Sequence, residues 1–70
     1  MRDRIVQYLT RTNEFSKPTC VKIADEICSL HYPHNIGRVQ DILLKYIGGE
    51  DDYGYETSYE MARRIVRLMR

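Results

Sequence analysis

Cys28, His31 and His34 recur at three-residue intervals, and Cys20 lies eight residues earlier, so the chain carries donors of the kind that zinc accepts in tetrahedral sites. The spacing follows none of the paired-cysteine or cysteine-histidine signatures of zinc domains, and Pro33 carries His34 away from the helix that would hold the other donors. Two turn histidines beside an apolar thiol account for the pattern, so no metal and no other cofactor is expected. The cysteines are equally poor nucleophiles, because both fall on an apolar helical stripe with no base beside them. Asp51 and Asp52 are adjacent carboxylates in a glycine-flanked segment, without an apolar wall to raise either pKa for general acid work. Gly48-Gly49 closes a helix and does not open one, the wrong arrangement for gripping phosphate with helix N-terminal amides. The expectation is a protein that is not an enzyme.

Binding chemistry is better represented. Eleven Lys and Arg oppose ten Asp and Glu, a formal net charge of +1, so overall charge selects no partner. Its distribution does: Glu50, Asp51, Asp52, Glu56 and Glu60 crowd one segment, and Arg63, Arg64, Arg67 and Arg70 follow directly. Those arginines would hold phosphates without reading sequence, and Arg4 and Arg11 would extend the surface if the first and last helices lie side by side. The acidic segment suggests a different partner. Tyr53, Tyr55 and Tyr59, with Asp51 and Asp52 beside them, are amphipathic anchors suited to a basic protein groove. That alternative is an adaptor or inhibitor of the sort viruses and mobile elements encode.

Elements of helical period must position these groups. Seventy residues suffice for one small domain, and no apolar run approaches the roughly 18 residues of a membrane span. A first helix from about Arg2 to Asn13 places Ile5, Val6 and Leu9 on one side. A second should begin near Thr19, after Ser16-Lys17-Pro18, and run to Leu30 or His31, with Cys20, Ile23, Ala24, Ile27 and Cys28 as its inward stripe. Eight residues at about 1.5 Å each separate the cysteines by roughly 12 Å, beyond the roughly 7 Å a disulfide spans. Free thiols and the polar start Met1-Arg2-Asp3-Arg4 point to the cytoplasm. Asn35 should cap a third helix running to Ile47. The connector Glu50 to Glu56 is expected to be a mobile loop, and Thr57-Ser58-Tyr59-Glu60 fits a capping box that starts the last helix. There Met61, Ala62, Ile65, Val66, Leu68 and Met69 share one side and the four arginines the other. The expected fold is all-α: one domain of four short helices, with a two-stranded wing not expected.

The stretches Ile23-Ala24-Asp25-Glu26-Ile27 and Asn35-Ile36-Gly37-Arg38-Val39-Gln40-Asp41-Ile42-Leu43 resemble a helix-turn-helix, and with the first helix residues 4–47 are similar to the three-helix core of winged-helix DNA-binding regulators. The resemblance implies that the third helix enters the major groove, with Asn35, Arg38, Gln40 and Lys45 contacting bases or phosphates. It further implies a DNA-binding transcription regulator working as a homodimer on palindromic half-sites. The turn Leu30-His31-Tyr32-Pro33-His34 is longer and bulkier than the family's. Asp41 lies between Arg38 and Lys45 with the wrong sign for phosphate, unless Lys45 neutralises it.

Overall fold

The apolar spacing produces four helices around one shared core. The computed structural model describes residues 2–30, 35–47 and 52–69. Its helices are α1 (Arg2–Thr12), α2 (Lys17–Cys28), α3 (Ile36–Ile47) and α4 (Asp52–Leu68). No strand occurs among the described residues, and the fold is all-α. None of the helices is long and apolar enough to cross a membrane.

Each boundary has a local cause. α1 stops where Asn13 turns to φ 61°, a left-handed conformation that Asn tolerates better than other residues with a side chain. α2 begins at Lys17, two residues before the expected Thr19, because Pro18 in the first turn has no amide to lose. Ser16 takes the cap position with extended backbone, and its carbonyl accepts the Cys20 N–H at 2.9 Å. α3 opens as the sequence suggests: the Asn35 Oδ1 accepts the Arg38 N–H at 3.0 Å, satisfying an amide that has no partner inside the helix.

The largest departure is α4. Its helix begins at Asp52 and takes in Tyr53, Tyr55 and Glu56, which the sequence reading assigned to a loop. Thr57 and Ser58 are therefore interior residues and start nothing. Ser58 is fully buried, and its hydroxyl donates to the Tyr55 carbonyl at 2.9 Å. A tertiary contact outweighs the local capping signal here.

Ile5 and Leu9 of α1, Ile23 and Ile27 of α2, Val39 and Leu43 of α3, and Ile65 of α4 are completely enclosed and meet in a single cluster. Packing is most extensive between α3 and α4 and next between α1 and α2, whereas the α2/α3 and α1/α4 seams are smaller. The molecule is thus two helix pairs laid together. Cys20 belongs to the core, but Cys28 is exposed: it occupies the last position of α2, at the edge of the apolar stripe, and does not continue it.

Polar links close the seams. Glu26 of α2 accepts the Lys45 Nζ at 2.7 Å and the Tyr46 hydroxyl at 2.5 Å, both from α3. Those two bonds, the lysine's first, hold the Glu26 carboxyl below its usual range; the same bonds raise Lys45 and Tyr46 above theirs. Arg2 pairs with Asp25 between α1 and α2.

Candidate functional site

Two surfaces were candidates for holding phosphate, and the fold treats them differently. On α3, Gln40 is not a surface residue. It is buried to 7% exposure, and its Nε2 donates to the Tyr55 carbonyl at 3.2 Å and the Ser58 Oγ at 3.3 Å. Its amide therefore ties α3 to α4 and is turned away from any external ligand. Asn35 uses its side-chain oxygen as a helix cap. Lys45 is engaged by Glu26 of α2, so its charge is met there and Asp41, four residues before it, has no part in that pair. Arg38 is exposed on the same helix. The four residues of the expected recognition face are thus divided among a core bond, a cap, an ion pair and one surface arginine.

The arginines of α4 are arranged otherwise. Arg64 and Arg67 face Arg4 and Arg11 of α1 across the thin α1/α4 seam, and with Gln7, Tyr8 and Leu68 they line a cleft of about 280 Å³. The side-by-side packing of the first and last helices therefore does extend the arginine surface. The spacing explains the convergence. Arg4, Tyr8 and Arg11 stand at i, i+4 and i+7 on α1, one stripe along its side, while Arg64, Arg67 and Leu68 cover adjoining positions on the last turns of α4. The α1/α4 contact is the smallest of the four between helices, and Tyr8 and Leu68, both half-buried, give the hollow an aromatic and an aliphatic lining residue. Arg63 lies to one side. Its guanidinium sits 5.9 Å from the Tyr59 ring centre and 3.5 Å from the Glu60 carboxylate, and a second recess of about 190 Å³ opens among Glu60, Arg63, Arg64 and Arg67.

The α1/α4 cleft gathers more positive than negative charge: its lining holds four arginines and no carboxylate, although Glu60 borders the neighbouring recess beside Arg64 and Arg67 and Asp3 lines another opening with Arg11. Among the described residues the ion pairs are Arg2 with Asp25, Lys45 with Glu26 and Arg63 with Glu60, and none involves Arg4, Arg11, Arg64 or Arg67. Guanidinium groups stay protonated at any working pH, so four positive charges share one hollow. Burial raises the Tyr8 phenol above its usual pKa, against the pull of Arg64 and with a smaller push from Glu60. Its hydroxyl therefore remains a donor.

The tyrosine surface survives in altered form. Tyr53, Tyr55 and Tyr59 are 63%, 57% and 40% exposed, but they ride on a helix, and the Tyr53 hydroxyl donates to Glu14 at 2.9 Å. Asp51 and Arg70 lie outside the described residues, as do His31 and His34 of the metal arrangement. Among the described residues no group of three or more His, Cys, Asp and Glu is gathered as metal ligands would be.

Sequence reasoning named all four arginines of the cleft but missed Tyr8 in its lining. The signal was the position of Tyr8 on the Arg4/Arg11 stripe; for Gln40 it was its place four residues after Ile36 and three before Leu43, on the apolar side of α3. No family model, no curated protein and no solved structure gives a match to this chain.

Proposed function

We propose that this chain is a small, non-enzymatic nucleic-acid-binding module that holds the phosphate backbone of DNA in the cleft between α1 and α4. The observation that carries the reading is the set of Arg4, Arg11, Arg64 and Arg67 lining one hollow, none of them in an ion pair among the described residues. Four like charges at close quarters repel one another, and a polyanion that displaces their water and counterions relieves the repulsion. Arginine suits this ligand because its planar fork matches two phosphate oxygens at once. The helix-turn-helix resemblance of residues 4–47 supports the same ligand class. On this reading the protein is a DNA-binding regulator whose arginines supply affinity and orientation and no base readout, since phosphates carry no sequence information. A homodimer would double the number of phosphates neutralised.

The test is the salt dependence of binding. With four phosphates neutralised, log K should fall against log salt with a slope of about −3.6 on duplex DNA, or about −2.8 on a single strand. Arg4→Gln with Arg64→Gln should lower the magnitude of the duplex slope by about 1.8, whereas Lys45→Gln, outside the cleft, should leave it unchanged. No measurable binding of either form of DNA at low salt would refute the reading.

A second reading, recognition of a basic protein partner, is favoured by the exposure of Tyr55 and Tyr59 on the flank of α4 beside Glu56. It expects a partner captured from the native host to be lost on Tyr55→Ala or Tyr59→Ala, and fails if both variants retain the same partners.

A further inference from the structure

We propose that the nucleic acid taken by the α1/α4 cleft is single-stranded, with one unpaired base laid against Tyr8 and the flanking phosphates held by the surrounding arginines; this rests on the phosphate-binding reading above and specifies its ligand. Phosphate alone explains only half of the cleft. Its lining combines four arginines with Tyr8 and Leu68, and a phosphate held by the arginines would leave apolar surface of the last two wet. A duplex offers no remedy, because it presents phosphate and sugar outward and keeps the faces of its bases stacked inside. An unpaired strand brings both components together: charge for the arginines and a flat π-face for Tyr8.

Size and order along the helix agree. The hollow of about 280 Å³ falls just below the roughly 300–1,000 Å³ of ligand pockets, which suits one planar group and not an extended ligand. On α1 the stripe runs Arg4, Tyr8, Arg11, a cation on each side of an aromatic ring, with Arg64 and Arg67 opposite. That alternation of stacking surface and backbone charge is how single strands are held without sequence preference. Guanidinium planes can also lie against bases. The neighbouring recess at Glu60, Arg63, Arg64 and Arg67 has no aromatic lining and holds a carboxylate among its arginines, so neither a base nor a phosphate is assigned to it.

The experiment compares four probes by fluorescence anisotropy at low salt on the full chain: a 12-nucleotide thymidine strand, an abasic strand of equal length and charge, a 12-base-pair duplex and thymidine monophosphate. The thymidine strand should bind at least about fivefold more tightly than the abasic strand, the lower bound for one stacked base, and more tightly than the duplex or the mononucleotide. Tyr8→Leu, which keeps an apolar side chain against the core, should erase the advantage over the abasic strand without changing the affinity for the abasic strand itself. Tyr8→Phe should preserve it. Circular dichroism on each variant verifies that the helices persist. Equal affinity for the thymidine and abasic strands, or an advantage that Tyr8→Leu leaves intact, overturns the base-stacking proposal while backbone binding stands. A duplex or a mononucleotide that binds as tightly as the thymidine strand overturns it as well. Binding by none of the probes removes this proposal and the phosphate-binding reading together.

Discussion

Gln40 separates a structural from a ligand-binding role in one residue. Its amide donates to Tyr55 and Ser58 at 3.2 and 3.3 Å and is nearly sealed from solvent, so truncation to Ala removes two bonds worth about 0.5–1.5 kcal/mol each and one methylene worth about 0.8 kcal/mol. The glutamine's rotamer freedom, about 1.5–2 kcal/mol on immobilisation, is returned in part. Gln40→Ala should therefore destabilise the domain by about 1–2 kcal/mol, which lowers the melting temperature of so small a protein by about 5–15 °C. Gln40→Glu should cost more at neutral pH, because an isosteric carboxylate places a buried charge against the Tyr55 carbonyl and supplies no donor. Acidification that protonates it should recover part of the loss. Urea unfolding followed by circular dichroism measures both, with Asp41→Ala, an exposed neighbour, as a control expected within about 0.5 kcal/mol of the parent. Variants at Gln40 that unfold like the parent but lose DNA affinity would refute the reasoning and return the residue to the surface.

Glu26 gives a pH signature. Its carboxyl is depressed in the folded state by Lys45 and then Tyr46, so its contribution is complete above the ordinary carboxyl range and is lost as pH falls below roughly 4. Lys45 and Tyr46 are raised by the same bonds, so their contribution is present at neutral pH and fades above roughly pH 10. Glu26→Gln should flatten both limbs of the stability curve, and a variant whose acid limb matches the parent's would exclude this cluster as a cause. Gly37→Ala should stabilise by about 0.5–1 kcal/mol, since the position is exposed in the first turn of α3 and an added Cβ meets only the Asn35 Oδ1, at an ordinary 3.5 Å. A fall in stability on thermal melting would mean that the methyl disturbs the Asn35 cap.

What could be read from the sequence follows from which forces are local. The bounds of α3 were legible because Asn35 and the run of apolar residues to Ile47 are signals within a few residues of where they act. The start of α4 was not, because Gly54, the acidic residues and the Thr57-Ser58 hydroxyls all argue for a break there. Ser58 and Gln40 are 18 residues apart, and only packing brings them together; once it does, Ser58 is better satisfied inside a helix than at its cap. Cys28 fails in the opposite direction. Helical period alone continues the α2 stripe to it, but the helix ends at that residue and the core does not extend so far.

The arginine cleft shows how partial local information becomes a candidate site. Each arginine is legible as the polar side of an amphipathic helix, and nothing in either helix alone distinguishes a solvated face from a binding surface. The distinction arises from the seam. Had α1 and α4 packed as extensively as α3 and α4, apolar groups would have filled the space and the arginines would have pointed to separate regions of solvent. Because that contact is the smaller one, Tyr8 and Leu68 are left half-covered and the guanidiniums stand around them. Three cations, Arg2, Lys45 and Arg63, are met by Asp25, Glu26 and Glu60, whereas no ion pair among the described residues involves the four arginines of the cleft. Like charges gathered in one hollow repel one another, and an anion placed between them would reduce that repulsion. The salt dependence of DNA binding, with and without Arg4 and Arg64, decides whether this concentration of charge is a binding surface or a solvated one.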